Sequence, residues 1–95
     1  MIRKTHKAAL GRLVEIANGD TGQCRIVADF LLAWWNAPEC GGFDLTNIWA
    51  VDTAIAEDMV QVFGIIRDTH SYPDKLGYKE DFQAIVRQWR PEFAA

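Results

Sequence analysis

The 95-residue chain predicts an all-α domain, a compact bundle of four main helices with a central, apolar second helix. Three observations predict it. Apolar residues recur at i, i+3, i+4 and i+7 four times, in the sets Leu10/Leu13/Val14/Ala17, Val27/Phe30/Leu31/Trp34, Met59/Val62/Phe63/Ile66 and Phe82/Ile85/Val86/Trp89. That spacing places one apolar face along each helix. Strand-type alternation never lasts more than a few residues, and helix start and stop signals fall between the four sets.

The first helix is expected over about 5–17, stopped by Asn18-Gly19, a pair that tolerates the left-handed backbone of a helix end. Asp20 or Thr21 caps the second, with Gln23 placed as in a capping box. This helix continues to about 36, and Pro38 opposes further extension. Only Asp29 is polar between Ile26 and Trp35, and a helix apolar all round belongs at the centre of its neighbours. Pairing with Arg25 one turn earlier, or an exposed edge of the helix, accounts for Asp29. In the 37–51 connection, Asp44 or Thr46 is placed to cap a short helical turn through Trp49. Asp52 or Thr53 caps the third helix, which ends near 69. The turn-rich segment SYPDKLGY follows, and the fourth helix covers about 78–89, with Pro91 just beyond. Phe30, Leu31, Phe63 and Ile85 are the expected core. At this length the chain makes one domain over 1–95.

Net charge is −3, but its placement says more. No lysine or arginine occurs between Ile26 and Ile66, a stretch that carries Asp29, Glu39, Asp44, Asp52, Glu57 and Asp58. The acidic middle repels a phosphate backbone, and no basic recognition helix follows a short turn, so direct nucleic-acid binding is not expected. The longest apolar run, FLLAWWNAP, is too short for a membrane span, and the N-terminus lacks a signal-peptide block. We therefore expect a cytoplasmic protein with free thiols at Cys24 and Cys40.

Chemistry finds little support in the spacing. Cys40 precedes two glycines, but its only candidate bases, His6 and His70, are distant in sequence, and both read as ordinary exposed histidines. No CxxC, HxxxH or HExxH spacing suggests a metal, and no glycine-rich strand-to-helix turn suggests a cofactor. Glu57-Asp58 and Glu80-Asp81 read as complements to helix dipoles. An enzyme using Cys40 as nucleophile stays as an alternative, and a purely structural homodimer built on helices 2 and 3 as another.

The stretch WWNAPECGGFDLTNIW holds three of the four tryptophans. Trp34 and Trp35 point about 100° apart on a helix, so they cannot fill one spot. Trp34 continues the core stripe. Trp35 needs a second cover, and Phe43, Leu45, Ile48 and Trp49 could supply it by folding back at Gly41-Gly42. The other reading makes the aromatics a partner-facing patch. Taken with the acidic middle, it expects a non-enzymatic module that binds a basic protein through Trp35, Glu39, Asp44, Trp49, Asp52, Glu57 and Asp58.

Three stretches, FLLAWWNAPECGGFDLTNIWAVDTAIAEDM, SYPDKLGY and RQWRPE, carry a resemblance. Over about 8–92 the chain resembles an uncharacterised family of small all-helical proteobacterial proteins, often carried on integrative elements and plasmids. The resemblance implies a bacterial, mobile-element setting and assigns no catalytic residue. By analogy with small acidic proteins of that setting, it implies an inhibitor or adaptor, anti-CRISPR proteins being one example.

Overall fold

A computed structural model describes residues 2–94, so the ends of the expected 1–95 domain lie outside the described residues. Four α-helices, α1 (Lys4–Ala17), α2 (Gly22–Cys40), α3 (Thr53–Thr69) and α4 (Lys79–Trp89), carry the chain, with no strand among the described residues. Three short 3₁₀ turns connect or follow them, at Leu45–Ala50, Pro73–Leu76 and Pro91–Phe93.

On α1 the buried residues are His6, Ala9, Leu10, Leu13, Val14 and Ala17, a single stripe at steps of three and four. The stop at Asn18-Gly19 works differently from the expectation. Asn18 keeps a right-handed backbone, and its side-chain amide donates to the Val14 carbonyl at 3.1 Å. Gly19 is needed for closeness: a Cβ there would lie 2.6 Å from the Cys24 Sγ. The hydroxyl of Thr21 caps α2 by accepting from the Cys24 N–H at 3.2 Å. No capping box forms, because Gln23 reaches away and accepts from the Asp52 N–H at 2.8 Å.

Pro38 interrupts α2 where expected, but the chain resumes a helical path beyond the break. The proline has no N–H to give and crowds the carbonyl four residues back, so the helix breaks at Asn36 (φ −162°, ψ 70°). Asn36 then caps a new turn, its side-chain oxygen accepting from the Glu39 N–H at 3.4 Å. The chain stays helical to Cys40 and leaves through Gly41 at φ 98°, a conformation that suits glycine.

Pairwise contacts set the topology. His6 lies on Gly64, and Arg12 on Asp58, so α1 and α3 run antiparallel. Trp34 meets Phe82, and Asp29 meets Arg90, so α2 and α4 are antiparallel too. Trp89 donates its indole N–H to the Ala17 carbonyl at 2.7 Å, which docks the end of α4 on the end of α1. The buried residues make one cluster drawn from all four helices. α2 is buried on several sides at Val27, Ala28, Leu31 and Leu32, as its composition predicts. The centre is shared with α1, which packs against each of the other three helices.

Three expectations need correction. Phe63 is 46% exposed, while Phe30, Leu31 and Ile85 are buried as expected. His6 is buried, because Gly64 on α3 offers a flat backbone surface for its ring. Asp29 pairs with Arg90 at 2.8 Å, reached through the tertiary fold, and not with Arg25. The same guanidinium donates to the Cys40 carbonyl at 3.0 Å and to the Trp89 carbonyl at 3.0 Å. Arg90 thus ties the middle of α2, the end of α2 and the end of α4 together.

Candidate interaction surface

The segment after Gly41 returns along α2. Phe43 packs edge-on to Phe30 at 5.3 Å between ring centroids, and Asp52 is held by Gln23 near the start of α2. Between these two anchors lies the 3₁₀ turn Leu45–Ala50, in which no residue is fully buried. Asp44 starts the turn, accepting from the Thr46 N–H at 3.0 Å and the Thr46 hydroxyl at 2.8 Å. Those two bonds stabilise the ionised carboxylate and lower its pKa. With the turn pinned this way, Ile48 packs inward, while Leu45 (66% exposed) and Trp49 (82% exposed) face solvent.

The outer face of α3 continues the apolar character. Val60 and Phe63, three residues apart, are both exposed. Phe30 joins the two regions, since its ring meets Phe43 on one side and Phe63 on the other, each at 5.3 Å. Exposed large apolar side chains are informative when several occur on neighbouring elements, because single ones are common on any surface. Asp44, Asp52 and Glu57 are exposed on the same stretch of chain. Glu57 and Asp58 lie beyond the first turn of α3, which contains no acid, so the dipole explanation fails for them; it holds for Glu80 and Asp81 in the first turn of α4.

The seven residues expected at a partner surface divide into two groups. Asp44, Trp49, Asp52 and Glu57 are exposed on the 44–57 segment. Asp58 is turned to α1, where Arg12 donates to both of its oxygens at 2.8 and 2.9 Å. Glu39 sits at the α2 kink beside Asn36. Trp35 is half-buried elsewhere: its indole N–H donates to Asp74 at 3.0 Å, and it stands against α4 and the Pro73–Leu76 turn. The lid expected from Phe43, Leu45, Ile48 and Trp49 therefore does not cover Trp35. Phe43 instead covers Phe30. Sequence reasoning missed Val60 and Phe63 as surface residues, because the apolar stripe of α3 is wider than the face that α1 covers.

Cys40 is 5% exposed, and burial, the largest influence, pushes its thiol pKa up; Arg90 pulls it down, and Glu39 and Glu92 push it up. That thiol is kept protonated, the opposite of an activated nucleophile. Neither His6, packed on Gly64, nor His70, at the C-cap of α3, is among the groups acting on it. Among the described residues no cluster of three His, Cys, Asp or Glu side chains is placed to hold a metal. No described helix is long and apolar enough to cross a membrane.

Comparison with curated proteins and with solved structures finds no match in either set. A protein-family model, described as a family of unknown function (DUF7673), matches residues 7–90. That span contains α2, α3 and α4 whole and all of α1 but its first three residues, and so carries the buried cluster described above. The chain belongs to the DUF7673 family.

Proposed function

We propose that the chain is a protein-binding module without chemistry of its own, which presents the Leu45–Ala50 turn and the outer face of α3 to a basic partner. One observation carries the reading: Trp49 is 82% exposed, at the tip of a turn that is held in place at both ends. A tryptophan kept in water by a rigid support costs solvation in the free chain and suits a pocket on a partner. Leu45, Val60 and Phe63 extend the apolar contact, and Asp44, Asp52 and Glu57 give it a negative rim. The resemblance to short proteins of integrative elements and plasmids supports reading the module as a bacterial cytoplasmic inhibitor or adaptor of a mobile element. A nucleic-acid-handling protein fits the partner chemistry, since an acidic face competes with nucleic acid for a basic surface; counter-defence of the anti-CRISPR kind is one such role.

The exposed pair Val60 and Phe63 also supports a second reading, a homodimer through α3. Acidic residues around the contact oppose self-pairing, which ranks it second. Affinity capture from the native host, with wild-type and Trp49→Ala baits side by side, tests both. The basic-partner reading expects a protein retained by the wild type and lost with Trp49→Ala. Lysines at Asp52 and Glu57 should then slow its association, more at low salt than at high salt. A bait that retains only copies of itself, or a partner indifferent to all three changes, rejects the reading.

A further inference from the structure

Trp35 borders two hollows, neither of them lined by the Leu45–Ala50 turn. One of about 320 Å³ is lined by Trp35, Gln83, Val86, Arg87, Phe93 and Ala94. The other, of about 300 Å³, is lined by Trp35, Asn36, Tyr72, Asp74 and Lys75. Each is at the small end of the range for small-molecule sites.

The chemistry of the first hollow is specific. Val86 is buried and forms an apolar floor. Two aromatic rings, Trp35 and Phe93, border it. The Trp35 ring is already fixed, because its N–H is bonded to Asp74 at 3.0 Å and the α2 backbone breaks one residue later. That bond uses an oxygen of Asp74, among the described residues the one carboxylate lining either hollow. Arg87 is exposed at the edge and, among the described residues, is not ion-paired; the same holds for Lys75 across the Trp35 ring. Arg12, Arg67 and Arg90, by contrast, are each committed to a carboxylate of the fold. A fixed aromatic wall, an apolar floor and a free guanidinium at the rim match one ligand chemistry. A flat ring excludes water from Trp35 and Phe93, and a negative group takes the two parallel N–H donors of the guanidinium.

We propose that this hollow binds a small planar aromatic anion, of the size of a nucleoside monophosphate, with its ring beside Trp35 and its charge on Arg87. The proposal is independent of the protein-binding surface, which shares none of these residues. An aromatic carboxylate and a mononucleotide offer the same two features, and the test separates them.

The test is a titration of the full ¹⁵N-labelled chain with AMP, adenosine, naphthalene-2-carboxylate and inorganic phosphate, each followed at the Trp35 indole N–H and the Gln83 side-chain amide. A saturable shift at both signals is expected with at least one aromatic anion, at a Kd of about 1 mM or tighter. AMP alone identifies a nucleotide site, and the carboxylate alone identifies an aromatic acid site. Adenosine, lacking the charge, and phosphate, lacking the ring, should each bind about tenfold more weakly or not at all. Arg87→Glu should weaken the anion about tenfold while leaving the indole signals of Trp34, Trp49 and Trp89 in place, which shows that the fold is kept. The proposal fails if neither aromatic anion saturates, if phosphate alone reproduces the shifts, or if Arg87→Glu leaves binding unchanged. It fails equally if an oligothymidylate binds increasingly tightly with length, which would make the face a strand-binding platform.

Discussion

Replacing Gly64 with alanine sets two opposing effects against each other, and the structure decides the sign. Gly64 lies in the middle of α3, and from helix propensity alone Gly→Ala there stabilises by about 1 kcal/mol. In the fold, a Cβ at this position would lie 2.5 Å from His6 Cε1, 2.9 Å from Nε2 and 3.0 Å from Nδ1. All three atoms belong to one ring, so the methyl group would press on the imidazole as a whole. His6 is buried in the first turn of α1 and can yield only by swinging out or by pushing α1 off α3. Forcing a methyl into a packed contact costs about 1–3 kcal/mol. Subtracting the propensity gain leaves a net loss of about 0–2 kcal/mol. For a domain of this size each 1 kcal/mol lowers Tm by about 4–8 °C. Thermal and urea unfolding of wild type, Gly64→Ala, His6→Ala and the double variant complete the cycle. The expected result is that His6→Ala costs less in the Gly64→Ala background than in wild type, by about 1 kcal/mol or more. Additive changes, or a Gly64→Ala Tm raised by the full propensity gain, would refute the reasoning.

Arg90→Met keeps most of the aliphatic bulk but strands Asp29 and the Cys40 carbonyl; losing these bonds to a charged group should cost about 2–3 kcal/mol, read as a lower urea midpoint, and an unchanged midpoint would mean the strut is ornamental. Burial raises the Cys40 thiol pKa in the folded state, so its stabilising contribution is full below the unfolded thiol's value of about 8.5 and is lost as pH rises through the higher folded value. As pH rises above about 8.5, wild type should therefore lose more urea resistance than Cys40→Ala, with identical slopes counting against the burial argument. Asp44 has the opposite sign: its lowered pKa gives stability that is present above the unfolded value and lost as pH falls through the folded one. Thr46→Ala removes the larger of the two causes, so the Asp44 carboxyl signal in an NMR titration should move up toward the ordinary carboxylate range; no movement would assign the shift elsewhere.

The helices were legible because each carries a local signal. Leu10, Leu13, Val14 and Ala17 on α1, and Phe82, Ile85 and Val86 on α4, repeat at helical spacing and are buried. Backbone punctuation was legible as position and less so as mechanism. Pro38 marked trouble at the end of α2, but the restart at Ala37 depends on Asn36 bonding to Glu39, one of several local solutions to the same break. Gly19 marked the end of α1, and its small size also serves the close approach of Cys24, a contact between the connecting turn and the first turn of α2.

The candidate surface was legible in part. The density of aromatics and the absence of Lys and Arg between Ile26 and Ile66 pointed to a surface running from Trp35 to Asp58, of which the 44–57 part exposes Asp44, Trp49, Asp52 and Glu57. Asp58 reads like Glu57 in sequence, and only the antiparallel packing of α1 on α3 turns it to Arg12. Phe63 reads like Val62, and only the width of the α1 contact leaves one in water and the other in the core.

By itself, then, the sequence determined that this chain forms four helices, where they break, and which middle segment is acidic. These are set by hydrophobic spacing, capping chemistry and composition, all of which act over a few neighbouring residues. Tertiary structure alone decided that Arg90 neutralises Asp29, that His6 lies on Gly64, that Trp35 faces α4 and that Trp49 stands in solvent. Each depends on which helix face meets which, and that choice is made by the packing of the whole core, since an apolar stripe states that a face is to be covered without stating by what.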